Sequence, residues 1–346
     1  MSLDAATIEA ADPAGMLGDV LAQPHQLGDA LWRAQSAGIP KQDRPGGLIV
    51  CGMGGSAIGG DLAAAALGDR ATRPITTVRG YALESWTGPD SLVLCASYSG
   101  NTEETLACFE AAGAAGAGRV ALTTGGQLAE LARADGVPVI GVPAGMQPRA
   151  AVVYMVVGVL ECAAHCGAAP GVHAEIDTAA ALLGTLVGEW GPEAADDSTA
   201  KALARALHGT LPVIHGAGPT AAVARRWKTQ VNENAEAAAF WSELPEADHN
   251  EICGWARGRA AGPLSSVFLE DPDQHPRIQR RIELTAAVVE RAGAPALRAT
   301  ARGETRLERV LSLVLLGDLV SVYLADLDGV DPGPVEELVR FKNELT

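Results

Sequence analysis

Basic residues are scarce in this chain. Against 42 Asp+Glu there are only 26 Lys+Arg, giving a formal net charge of −16 over 346 residues. That balance excludes binding to nucleic acid or anionic membrane through bulk positive charge. It leaves room for a small anionic ligand, because a local nest of backbone N–H groups outweighs a distant global charge. No Cys-x-x-Cys pair occurs among Cys51, Cys95, Cys108, Cys162, Cys166 and Cys253. Cys162 and Cys166 flank His165 in an apolar, helical stretch. They read as buried small hydrophobes in a reducing compartment rather than as metal ligands. The opening MSLDAATIEA has neither a basic n-region nor an apolar h-region, so no secretory signal is expected. The longest uninterrupted apolar run, Ala150–Leu160, ends at Glu161, short of the about 18 residues of a membrane span. With 48% hydrophobic and 20% charged residues, the low-complexity and disordered classes are also out. The expectation is a cytoplasmic globular protein without nucleic-acid or membrane partners. At roughly 100–200 residues per domain, it should have two domains.

The first 45 residues read as helices, with Leu21, Leu27 and Leu31 near helical spacing. Leu48–Cys51 is then a short apolar run bounded by glycine, which suits a strand buried on both faces. Further strands are predicted at Ile75–Val78, Leu92–Ala96, Val120–Leu122 and Pro138–Val142. Helices are predicted at Ile58–Leu67, Thr102–Ala112 and Leu128–Ala134, and a long one at Arg149–His165. Alternation of this kind predicts a doubly wound parallel sheet. A bend at Ala194–Ser198 precedes a second cycle that starts at Pro212–His215. The expected division is a helical segment 1–45, an α/β domain 46–160, a helical connection 161–205, and a second α/β domain with C-terminal helices 206–346.

The two cycles look like a degenerate repeat. Gly52-Met53-Gly54-Gly55-Ser56-Ala57 lines up with Gly216-Ala217-Gly218-Pro219-Thr220-Ala221, and Leu92–Cys95 with Leu264–Leu269. The loops that follow the second pair differ. One is Ser97-Tyr98-Ser99-Gly100-Asn101-Thr102; the other is Glu270-Asp271-Pro272-Asp273. Hydroxyls welcome an anion and carboxylates repel it, so a phosphate is expected in the first half. The first glycine loop also satisfies a relaxed dinucleotide fingerprint. That reading wants an acidic residue about 20 positions on, where this chain has Val78-Arg79-Gly80. Ser97–Thr105 is the more specific signal. Its hydroxyls sit at a strand's carboxyl end just before a helix, with Thr102 as the expected N-cap. A helix N-terminus adds free N–H groups and a positive dipole end.

Ser97–Thr105 following Gly52–Asp61 resembles the SIS (sugar isomerase) domain, a phosphosugar-binding α/β fold. Gln230–Ala235, Pro245–Ile252, Met146–Ala151 and the Val335–Lys342 helix narrow the resemblance to the bifunctional phosphoglucose/phosphomannose isomerase family. The similarity runs in order from about residue 15 to the end. It implies two tandem SIS domains, a homodimer, and no cofactor. It also implies aldose–ketose isomerisation of glucose 6-phosphate and/or mannose 6-phosphate to fructose 6-phosphate.

Such a reaction needs a base beside C1 and C2, groups that open the ring, and positive charge near an enediolate. Glu233, in a polar island with Asn232 and Asn234, is the candidate base. His249 is the candidate ring-opening acid/base, since an imidazole changes charge near neutral pH. Arg149 is the candidate partner of the enediolate. Lys342 is one of four lysines beside 22 arginines, and an ammonium exchanges a proton where a guanidinium does not. In the family the matching lysine assists ring opening, and the matching histidine comes from the neighbouring subunit. Gly54, Gly55, Ser56, Ser97, Ser99 and Thr102 are the candidate phosphate site. No metal is expected. The other histidines are expected to be structural, with His215 alone lying beside a glycine loop. One departure stands out. Family members often carry a threonine ahead of that lysine, linked to handling the mannose epimer, whereas between Ser321 and Lys342 the only hydroxyl residue here is Tyr323. The resemblance therefore carries isomerisation further than dual specificity. An amino-sugar phosphate isomerase and a non-catalytic phosphosugar-binding SIS protein are the alternatives.

Overall fold

The structure, a computed structural model, describes residues 3–256 and 263–345. Helices α1 (Ala5–Ala11), α2 (Met16–Leu21) and α3 (Gln23–Ser36) open the chain. The first α/β cycle runs β1 (Gly47–Cys51), α4 (Gly54–Leu67), β2 (Ile75–Val78), β3 (Ser91–Ala96), α5 (Glu103–Ala114), β4 (Gly118–Thr123), α6 (Gly126–Ala134) and β5 (Val139–Gly141). Then come α7 (Val152–His165), α8 (His173–Trp190) and α9 (Thr199–Leu207). The second cycle is β6 (Leu211–Ala217), α10 (Pro219–Asn234), β7 (Phe240–Leu244), α11 (Ile252–Ala256), β8 (Leu264–Glu270), α12 (Pro276–Arg291) and β9 (Ala296–Thr300). Helices α13 (Arg306–Asp328) and α14 (Glu336–Leu345) close the chain.

The residues form two compact units. One, the first-sheet unit, comprises Ala22–Leu183 with Gly303–Leu311; the other comprises Met1–Leu21, Gly184–Arg302 and Ser312–Thr346. The first sheet has strand order β2-β1-β3-β4-β5, and every pairing in it is parallel. Its apolar runs are buried on both faces, as an all-parallel sheet requires. Ile49, Cys51, Val93, Cys95 and Ala121 pack on Cys108 and Phe109 of α5 and Leu128 of α6. The alternate residues Leu48, Val50, Leu94 and Leu122 are equally buried, and α4 and α7 pack together and against the sheet. This is a doubly wound α/β architecture, the kind the SIS resemblance implies.

The second sheet has order β7-β6-β8-β9, again all parallel. Ala217, Leu244 and Phe268 pack with Ile282, Ala286 and Val289 of α12. Val231 and Ala235, at the end of α10, pack with Leu324 and Ala325 of α13. By length and composition alone α13 is apolar enough to cross a membrane, yet 94% of its most apolar window is buried inside the protein. It is a core helix, and most of the apolar run Ala150–Leu160, from Val152 on, lies in α7, a shorter apolar helix whose residues there are buried.

Candidate active site

In the first-sheet unit three segments converge at the carboxyl ends of β1 and β3. The glycine loop turns from β1 into α4 at Gly54, whose φ is +49°. A Cβ on Gly55 would lie 3.0 Å from Arg149 Cα and 3.1 Å from the Pro148 carbonyl oxygen. Only glycine lets the Pro148–Arg149 segment pass so closely over the start of α4. Arg149 is buried there, 2% exposed.

The hydroxyl loop is built by its own side chains. Ser56 Oγ accepts from the Tyr98 N–H at 3.3 Å, tying the two loops together. Ser97 Oγ accepts from the Gly100 N–H at 3.1 Å and lies 2.8 Å from Thr102 Oγ1. Ser99 Oγ accepts from the Asn101 N–H at 3.2 Å. Gly100 has φ +72°, and a Cβ there would sit 1.9 Å from the Gly125 carbonyl oxygen, so the turn admits no side chain. Thr102 is the N-cap residue of α5, but its hydroxyl makes no capping bond. It faces Ser97 instead. Ser56 and Ser97 are buried and Ser99 is exposed. The first turn of α5 carries Glu103 and Glu104, so the helix end already has two carboxylates.

Tyr98 is a structural tie at these loops that the sequence reading missed. Its hydroxyl donates to the Pro143 carbonyl at 3.0 Å and accepts from the Met146 N–H at 3.0 Å. It thereby fastens the segment leading to Arg149 onto the hydroxyl loop. An aromatic residue between two loop serines is the only trace of this in the sequence. At the end of β2, where a dinucleotide site would want an acidic residue, Arg79 is paired with Asp61 at 2.5 Å.

The corresponding loops of the second-sheet unit are closed. Thr220 Oγ1 accepts from the Ala217 N–H at 2.8 Å and donates to the Leu269 carbonyl at 3.0 Å, and Pro219 occupies the first turn of α10. Glu270 pairs with Arg298, and Asp271 accepts from the Asp273 N–H at 2.9 Å. His215 is a structural core residue, as the sequence reading expected of it. It is 1% exposed, stacked on Phe268 at 4.7 Å, with Nε2 3.3 Å from Ser266 Oγ. Burial lowers its pKa to about 4, partly offset by Asp248. At neutral pH it is an uncharged core residue.

The same unit holds the candidate chemical groups. Glu233 lies half-buried in the last turn of α10. Its neighbours are fixed: Asn232 donates to the Ala237 carbonyl and Asn234 to Ser321 Oγ, each at 2.8 Å. About two turns back, Trp227 Nε1 donates to the Leu313 carbonyl at 2.8 Å, and Arg226 forms a two-pronged pair with Asp318 at 2.9 and 2.7 Å. Both partners of that pair are 1% exposed. His249 ends a 3-10 turn, Glu246–His249, and is exposed. Lys342 is exposed on α14, a helix that also exposes Leu338, Val339 and Phe341. Ser56, Ser97, Ser99, Thr102 and Arg149 thus belong to one unit, and Glu233, His249 and Lys342 to the other. Among the described residues no group of three or more His, Cys, Asp or Glu side chains is arranged to hold a metal ion.

Comparison with known proteins bears on this arrangement. Residues 196–345 match the family model described as the bacterial phospho-glucose isomerase C-terminal SIS domain. The chain is 37% identical over 301 residues to the bifunctional phosphoglucose/phosphomannose isomerase of Caldicellulosiruptor bescii, covering 86% of this chain and 89% of that one. With the enzyme of the same name from Aquifex aeolicus it shares 36% identity over 301 residues, 86% and 90% of the two chains. Its fold is similar to that of a glucose-6-phosphate isomerase like protein from Thermus thermophilus, with a TM-score of 0.63, 19% identity and 100% of both chains covered. The chain belongs to the bifunctional phosphoglucose/phosphomannose isomerase family.

Proposed function

We propose that this protein is an aldose–ketose isomerase that interconverts glucose 6-phosphate and/or mannose 6-phosphate with fructose 6-phosphate. The observation that carries the reading is the Ser56–Tyr98 and Ser97–Thr102 hydroxyl cluster, with Arg149 packed on Gly55 beside it. Neutral donors at two helix starts suit a phosphate monoester. Ser56, Ser97, Ser99 and Thr102 hold the phosphate, with Gly54 and Gly55 supplying backbone. His249 and Lys342 open the ring: a proton goes to the ring oxygen, another leaves O1, and the C1–O5 bond breaks as C1=O1 forms. Glu233 removes the C2 proton and returns it to C1, while the O2 proton passes to O1 so that C2=O2 forms as C1=O1 is lost. Arg149 holds the negative charge of the enediolate between those two transfers. Neither metal nor nucleotide takes part, so dialysis against a chelator leaves the rate unchanged.

The enzyme works in the cytoplasm as a homodimer in which His249 serves the partner's site. Its exposed position on a short turn and the family resemblance support this. Mixing Glu233→Gln with His249→Ala subunits then restores activity, to about a quarter of wild type for free exchange under two-fold symmetry. No recovery, with exchange verified by mass, means that His249 serves its own subunit. A coupled assay with glucose 6-phosphate, mannose 6-phosphate and glucosamine 6-phosphate tests the activity itself. The expected product from one or both of the first two is fructose 6-phosphate. Turnover of the amino sugar alone makes the protein an amino-sugar phosphate isomerase. Binding without turnover of any of the three makes it a sensor.

A further inference from the structure

We propose that Asp248 is a positioning residue for His249; the proposal rests on the ring-opening role given above to His249. The motif Pro245–Ile252 folds into a 3-10 turn over Glu246–His249. Its own backbone offers little, an Asp248 N–H to Pro245 carbonyl bond at 3.1 Å and an Asn250 N–H to Ala247 carbonyl bond at 3.3 Å. Turns of this kind have poor hydrogen-bond geometry and do not hold a side chain in place unaided.

The residues beside the histidine supply what the backbone lacks. Asp248 Oδ2 accepts from Arg281 Nη1 at 2.9 Å, and Asp248 Oδ1 accepts from Thr285 Oγ1 at 2.7 Å. Arg281 and Thr285 are four apart on α12 and therefore share one face of it. Both carboxylate oxygens are thus gripped by a single helix. The Asp248 side chain is 8% exposed and Thr285 3%, while Arg281 is 39% exposed, so the carboxylate itself is shielded from water and its charge-assisted bond is held from the surface side by Arg281. Two further ties flank it. Asn250 Nδ2 donates to Glu246 Oε1 at 2.8 Å, and Ser242 Oγ of β7 donates to Glu251 Oε2 at 2.7 Å. The turn is anchored on both sides of position 249, and His249 itself projects from it, exposed. A carboxylate drawn inward at 248 fixes the backbone from which the imidazole at 249 points outward. An acid/base group needs that fixity, because a misplacement of about 1 Å costs on the order of a hundredfold in rate.

A double-mutant cycle on the intact enzyme tests this. Wild type, Asp248→Asn, His249→Ala and the double variant are compared by kcat/KM on glucose 6-phosphate and mannose 6-phosphate, each fold checked by thermal melting. Asp248→Asn keeps the side chain's shape and removes the charge that Arg281 holds. The expected result is a loss of about tenfold in the wild-type background and of less than twofold once His249 is alanine, since a positioning residue has nothing left to position. Equal losses in both backgrounds, or none, overturn the proposal while leaving the His249 role intact. Full activity of His249→Ala overturns that role and the proposal with it. Should Asp248→Asn fail to fold, Thr285→Val, which removes one arm of the clamp, is read in the same cycle with the same two outcomes.

Discussion

At the carboxyl end of β1 the chain reads Gly54-Gly55-Ser56, and at the corresponding end of β6 it reads Gly218-Pro219-Thr220. The hydroxyl at the third position serves opposite ends in the two. Ser56 accepts an N–H from the neighbouring loop, whereas Thr220 spends both its donor and its acceptor capacity bracing Ala217 and Leu269. At the second position glycine leaves space for the Arg149 segment, while proline fills that space and removes an N–H. Beyond β3 stand four hydroxyls, Ser97, Tyr98, Ser99 and Thr102; at the end of β8 stand three carboxylates, Glu270, Asp271 and Asp273, the first of them paired with Arg298. One βα scaffold, used twice, carries in the first unit the hydroxyl loop proposed here to bind the phosphate and in the second a corner braced by its own side chains. The repeat preserves where loops fall, and the side chains decide what each loop does.

The comparison is broken most severely by moving the second loop's chemistry into the first. Ser97→Asp sets a carboxylate where the phosphate is to sit. Like charges at about 4 Å repel by about 4 kcal/mol at intermediate dielectric, so affinity for glucose 6-phosphate should fall about a thousandfold in calorimetric titration. An affinity within tenfold of wild type would place the phosphate elsewhere. Exchanging the second position is the next largest effect. Gly55→Pro pushes on Arg149 and Pro148, and turnover should fall about a hundredfold. The reciprocal Pro219→Gly should leave turnover within about twofold of wild type, because that corner takes no part in the chemistry. Equal losses in the two variants would erase the distinction.

A smaller effect lies one residue before each glycine loop, where Cys51 faces the core of one sheet and His215 that of the other. The folded imidazole stays neutral down to about pH 4, whereas an unfolded histidine takes up a proton below about 6.5. Between those values the unfolded chain binds more protons, so stability falls as pH drops through the window. The loss should be about 2 kcal/mol at pH 5 relative to pH 7, read from urea midpoints. His215→Gln should flatten that dependence. An unchanged slope would assign it to other groups.

Much of this was legible in the sequence. Leu48–Cys51 and Leu92–Ala96 announce strands buried on both faces, and the glycine and hydroxyl loops announce where they end. Ser97 to Thr102 read as a compact hydroxyl-lined turn because its bonds join residues within five positions of each other. Tyr98 did not, since its partners Pro143 and Met146 lie 45 and 48 residues on. The edge strand Phe240–Leu244 was passed over for a different reason. It exposes Phe240, Trp241 and Glu243 and buries Ser242 and Leu244, which gives no apolar run to notice. His215 lies beside a glycine loop in sequence, yet its neighbour in space is Phe268, in keeping with the structural place expected of it.

The central claim is a division of labour, with anion binding on the first-sheet loops and proton transfer by Glu233 on the last turn of α10. Glu233→Gln, read by turnover and by titration with glucose 6-phosphate on the same sample, tests it most directly. The amide keeps the shape of the side chain and cannot take a proton from carbon. The account predicts a dissociation constant within about threefold of wild type and a turnover lower by about 10²–10⁴, the range for a general base. Turnover within about threefold of wild type, or binding lost together with turnover, would contradict it.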